Sequence, residues 1–211
     1  MKTINKAEYW FLDLVISGSY PLHTLIHPDL EIIANRDHHG LSHSELLRTL
    51  VNLFEDGSLI GVRYDDYTSI DFLPNYQEVD LALKGHDRMQ YKLTTIGGKL
   101  WENLSNPNWD WYIADSSDSK ALIIEAKYLH IAEQRLKMCT YIEQWQPILS
   151  SRNYQVLRPW QATYWKTLLE GHRIDCQIQD SRTSIRLLQD LTLEERDFLD
   201  KKSNWYTNPF K

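Results

Sequence analysis

Cysteine is scarce. Only Cys139 and Cys176 occur in 211 residues, too few for a disulfide framework, and no C-x-x-C spacing suggests a structural zinc. Both read as buried or idle thiols. No run of about 18 apolar residues exists, which excludes a membrane-spanning helix. The opening residues carry acidic and polar breaks where a signal peptide needs an apolar stretch and a cleavage site, so the expected compartment is the cytoplasm. Motifs for nucleophilic, nucleotide-binding and metalloprotease chemistry are also missing: there is no G-x-S-x-G, P-loop, G-x-G-x-x-G or H-E-x-x-H. No cofactor is implied.

Positive charge is missing from one half in particular. Residues 1–104 hold 9 Lys and Arg against 15 Asp and Glu, a net of −6, whereas residues 105–211 hold 14 of each. The whole net acidity therefore lies in the first half. The apolar share of 42% is enough for a core without staples.

The pattern of the first half predicts a helix over 6–17, ended by Gly18, and a short helix with a connector over 21–33, interrupted by Pro28. Ser42 followed by Glu45 is a capping-box signature. It opens a helix over 43–55 whose buried face is Leu46, Leu47, Leu50, Val51 and Phe54, with Asp56-Gly57 as its stop. A strand is expected over 58–64, then a long polar stretch over 65–88, a returning strand over 89–93, and a helix capped by Thr94 running through Leu104. The run Tyr91-Lys92-Leu93-Thr94-Thr95-Ile96-Gly97 resembles the Y-x-L-T-x-x-G entry into the last helix of bacterial winged-helix regulators. The order of elements fits the same family. The resemblance covers roughly residues 5–104. It implies a strand ending at Leu93, a Thr94 cap, and a Gly97 that allows close packing. It does not fix an activity, because this fold hosts many.

Asn106-Pro107-Asn108 marks a boundary. Beyond it the sequence predicts a hairpin of strands 111–115 and 121–126 with turn chemistry at 115–119, a helix over 128–145 stopped by Pro147, and a helix over 160–169 ended by Gly171. A strand over 173–179 follows, and Thr192 with Glu195 opens a last helix to about Lys202. The expected class is α+β: a winged-helix domain over 1–105 and a small α+β domain over 106–211.

Four sets of residues carry candidate chemistry. On the helix over 43–55, Ser44, Glu45, Arg48 and Asn52 face solvent, and Arg48 and Asn52 have the side chains that read base edges. Duplex affinity, however, comes mainly from neutralised phosphates, and this helix and the following wing are dominated by acids. His23 with His27, and His39 with His43, have the four-residue spacing of metal ligands, but Pro28 and Gly40 break the helical geometry that spacing needs. Glu125-Ala126-Lys127, with Asp115 and Asp118 upstream, resembles the acid-then-E-x-K layout of restriction-type nucleases, without that family's usual P-D context. The fourth set is aromatic. A helix over 160–169 puts Trp160 with Tyr164 on one face and Trp165 with Leu169 on another. One of these faces is then left for the first domain, a second copy of the chain, or a partner.

These features favour a non-enzymatic protein that acts through protein–protein interaction. Its acidity and size suit an immunity or antitoxin-like factor that meets a basic partner. The alternative is a DNA-binding transcriptional regulator, followed by a small metal-dependent nuclease. Neither catalytic nor metal residues are assigned.

Overall fold

The computed structural model describes residues 4–65, 68–118, 120–142, 145–180 and 191–210. Residues 66–67, Ser119 and residues 143–144, which fall within three of the expected segments, lie outside that set. Helix and sheet are mixed throughout. The chain divides into two compact units, Met1–Ser105 with Pro209–Lys211, and Asn106–Asn208. No helix among the described residues is long and apolar enough to cross a membrane.

In the first unit, helix α1 (Lys6–Leu14) begins in a capping box between Asn5 and Glu8. A two-residue strand β1 (Tyr20–Pro21), a 3-10 turn (Leu22–Ile26) and a short helix α2 (Leu30–Ala34) follow. Helix α3 (His43–Glu55) keeps the boundaries its sequence predicts, with the Ser42–Glu45 box formed and Leu46, Leu47, Leu50, Leu53 and Phe54 buried. Strand β2 (Leu59–Asp65) pairs antiparallel with β4 (Gln90–Leu93), so the expected pairing of 58–64 with 89–93 is present.

The polar stretch 65–88 differs from expectation. It contains strand β3 (Thr68–Phe72), which forms a hairpin with β2, and helix α4 (Tyr76–Leu83). Asn75 and Glu78 make a third capping box there, and Val79, Ala82 and Leu83 are buried as α4 packs on α3 and on the 3-10 turn. The capping box fixes the start of this helix, and Val79, Ala82 and Leu83 supply the apolar face that packs. The sheet order is β1-β4-β2-β3. Helix α5 (Thr95–Ser105) closes the unit. The Thr94 hydroxyl accepts the N–H groups of Ile96 and Gly97, and a Cβ at Gly97 would lie 2.0 Å from the Ser58 carbonyl oxygen.

In the second unit, the hairpin of β5 (Ile113–Ser117) and β6 (Ala121–Ala126) forms as expected, with β5 displaced two residues along the chain. Helix α6 (Leu129–Ile142) is followed by β7 (Trp145–Pro147) and β8 (Asn153–Leu157). Both pair with the long strand β11 (Gly171–Asp180), whose other edge pairs with β6. Helix α7 (Leu193–Ser203) starts in the Thr192–Glu195 box. One face of the sheet buries Leu122, Ile124, Ala126, Ile174 and Cys176 with Ile131, Ala132, Leu136 and Cys139 of α6 and Phe198 of α7. Both cysteines are free and buried.

The expected helix over 160–169 does not form. Trp160–Gln161 (β9) and Thr167–Leu168 (β10) pair antiparallel as a small hairpin. Its turn is held by Thr163, which donates its N–H to the Lys166 carbonyl and accepts the Lys166 N–H on its hydroxyl oxygen, and by the Gln161 amide bonded to the Thr167 hydroxyl. Trp, Thr and Tyr dominate the segment, and such side chains favour a pleated, half-buried surface over a helix.

Candidate functional site

The exposed face of α3 is the surface that the fold presents most clearly. Leucines and Phe54 hold the opposite face in the core, so Ser44, Glu45, Arg48, Asn52 and Glu55 are all exposed. Residues 44, 48 and 52 follow one another at one-turn spacing.

Glu45 has a structural duty as well. Its carboxylate accepts the Ser42 N–H at 2.9 Å and the Ser42 hydroxyl at 2.6 Å. The Ser42 hydroxyl, and then its N–H, hold this carboxyl below its ordinary range, with a smaller contribution from the Arg48 charge. That leaves Ser44, Arg48 and Asn52 as the adaptable polar groups, with Glu55 at the far end.

The neighbourhood of the stripe is set by α4, which the sequence reading missed. His43 at the start of α3 bonds Asp80 of α4 at 2.9 Å, and Lys84 bonds the other oxygen of the same carboxylate. Lys84, then His43, keep Asp80 below the usual carboxylate range. Arg63 of β2 is bonded to Asp87 and Glu78 and lies 4.2 Å from the centroid of the Phe72 ring. Its guanidinium is raised first by Asp87. Lys92 pairs with Asp71 at 2.8 Å, and Arg36 with Asp13 at 3.0 Å. Four cations of this acidic unit are therefore engaged by its own acids. The signal for α4 was present in the sequence as Asn75 and Glu78, spaced for a capping box just after Pro74.

The histidine pairs do not converge. His39 is placed between Leu25 and Leu41, its Nε2 3.0 Å from the Leu25 carbonyl and its Nδ1 accepting the Leu41 N–H. His43 is turned to Asp80, and His27 accepts the Asp29 N–H. Among the described residues no three His, Cys, Asp or Glu side chains are arranged to hold a metal ion.

The nuclease-like residues are split by the sheet register. Glu125 stands opposite Ala114 and Arg173, whereas Asp115 stands opposite Ile124, so the two carboxylates belong to opposite faces. Asp115 bonds Arg135 of α6 on the helix-covered face. Glu125 accepts the Trp160 indole N–H at 2.9 Å and lies 3.6 Å from Arg173. Lys127 is bonded to Asp110, which raises its ammonium. Asp118 accepts the N–H groups of Lys120 and Ala121 and closes the hairpin turn, and those two bonds lower its carboxyl.

The aromatic surface expected of Trp160, Tyr164, Trp165 and Leu169 does not exist, because the helix that would display it is a hairpin. Trp160 is fully buried with Tyr112 and Ala162, and Trp165 is buried beside Trp109. Tyr164 is half-buried. Leu169 is 94% exposed, but it is one residue rather than a patch. Neither assigned pair is exposed as a pair. The Trp-rich composition is spent on an interior cluster of Trp109, Tyr112, Trp160 and Trp205.

Comparison of the chain with protein-family models, curated proteins and solved structures finds no match.

Proposed function

We propose that the first unit is a winged helix whose wing is enlarged by β3 and α4, and that the protein acts without catalysis by binding another, basic protein through the exposed face of α3. The order of elements, the antiparallel pairing of β2 with β4 and the Thr94–Gly97 entry into α5 support the fold. The observation that carries the function is electrostatic. Arg48 is the single cation on the exposed stripe of α3, beside Glu45 and Glu55, while Arg36, Arg63, Lys84 and Lys92 are held in ion pairs. A phosphate-binding surface gains its affinity from cations free to displace counterions, and this one has few to offer. A basic protein surface matches it, and an immunity or antitoxin-like role is one setting in which such a match arises.

The alternative reading is a transcriptional regulator. It is favoured by Arg48 and Asn52, exposed one turn apart at the centre of the same helix. The two readings part in one comparison. Gel shifts with mixed duplexes at physiological salt should show nothing tighter than the roughly 10⁻⁴–10⁻⁶ M of non-specific contacts. Affinity capture from native lysate should recover a basic protein with the wild-type chain and lose it with Glu55→Lys. A sequence-specific complex abolished in Arg48→Ala would replace the first reading with the second.

A further inference from the structure

Two strands in this chain are exposed in a way that an ordinary edge strand is not. β3 (Thr68–Phe72) ends the sheet order of the first unit, and β8 (Asn153–Leu157) lies along the outer side of β11 in the second. An edge strand usually buries every other side chain on its sheet. Here the first four residues of both strands are exposed, on both faces, and the apolar side chains Ile70, Tyr154 and Val156 are among them. Among the described residues, neither strand has a backbone hydrogen bond on the side away from its pairing strand. Both are five residues long. Unblunted edges of this kind are templates for pairing with another chain.

The flanking charges decide what fits. β8 is bracketed by Arg152 and by Arg158, the latter bonded to Glu170. If it paired antiparallel with its own copy about Gln155, Arg152 of one chain would stand directly opposite Arg158 of the other. β3 carries Asp71, which pairs with Lys92 of β4. Pairing two copies of β3 about Ile70 would bring two Asp71 carboxylates to diagonal positions. Like charges so placed are destabilising. An antiparallel pairing of β3 with β8, with Ile70 opposite Gln155, does the reverse. Asp71 then stands opposite Tyr154 and diagonal to Arg152.

We propose that the chain self-associates head to tail, the β3 edge of one copy adding as a strand to the β8 edge of the next. A contact between two different surfaces of the same chain does not close on itself as a symmetric dimer does, so it propagates into rings or open chains. This surface is separate from the exposed face of α3, and the proposal stands whichever partner that helix binds.

Light scattering and sedimentation of the full chain across a wide concentration range test it. Wild-type mass should rise beyond a dimer with concentration. Arg152→Glu and Asp71→Lys should each weaken association about tenfold or more, and the double variant should restore it. Arg152 forms no ion pair among the described residues, so Arg152→Glu remains informative if Asp71→Lys disturbs Lys92. The sharpest arm mixes the two single variants. The native β3 edge of one then meets the native β8 edge of the other, and the two substituted edges again carry opposite charges, so the mixture should associate where neither variant does alone. A wild-type chain that stays monomeric, or an association indifferent to Arg152→Glu, overturns the proposal.

Discussion

The two units are locked by different physics. In the first, a buried carboxylate gathers its donors. Asp13, 6% exposed, accepts the Trp101 indole N–H at 2.8 Å and the Tyr9 hydroxyl at 3.3 Å, and pairs with Arg36 at 3.0 Å. One side chain thereby joins α1, α5 and the segment after α2. Beside it, α5 lies against the start of β2 with no room for a side chain at Gly97. In the second unit the lock is an aromatic ring. Trp160 covers Gly171, where a Cβ would lie 2.4 Å from the indole, and its N–H is tied to Glu125 on the sheet face away from α6. A buried charge leaves no cheap alternative when a partner is lost, whereas a ring against a strand can shift.

Asp13→Ala should break this contrast most severely. It strands the part-buried Arg36 guanidinium and the buried Trp101 indole donor of the first unit. Loss of one partner from a buried ion pair costs about 3–5 kcal/mol. Chemical denaturation should show the loss in the transition of the first unit alone, and Asp13→Asn should recover part of it. An effect below about 1 kcal/mol, the size of a surface pair, would remove Asp13 from its central place.

The two glycines sharpen the comparison. Overpacking costs about 1–3 kcal/mol, occasionally more. Gly97→Ala meets a backbone carbonyl and should reach the top of that range or exceed it. Gly171→Ala meets a side chain and should fall below it, accompanied by a change in Trp160 fluorescence. Thermal melts of both variants compare them directly, and the reverse order would mean that the indole is held more rigidly than the backbone.

The smallest expected effect is a pH dependence confined to the first unit. Burial, with His38 adding to it, holds His39 below its ordinary 6.5, so the native state prefers the neutral ring. The neutral ring is also the one that accepts the Leu41 N–H. Its contribution is complete above about pH 6.5 and declines as the pH falls from there through the lowered native value. His39→Asn should flatten that part of the stability profile. An unchanged slope would assign the acid sensitivity to other groups.

Much of the first unit is legible from local chemistry. Ser42, Glu45 and the spacing of Leu46, Leu47, Leu50 and Phe54 set both ends and the phase of α3, because hydrogen bonds within four residues and one apolar face suffice. The polar face bearing Ser44, Arg48 and Asn52 follows from that phase. The same reasoning misleads at Trp160–Leu169, where apolar residues occur often enough to satisfy a helical spacing. There the turn bonds of Thr163 and Gln161 and the cover over Gly171 select a hairpin.

Local sequence determined the capped helices, the β2–β4 and β5–β6 strands and the acidity of the first half, since each depends on neighbours in the chain. Tertiary structure alone decided which cations were left free. Arg63 finds Asp87 and Lys92 finds Asp71 only once the sheet and α4 are assembled. The sheet register alone put Asp115 and Glu125 on opposite faces, because a strand's side chains alternate and the pairing of two strands fixes which carboxylates can meet.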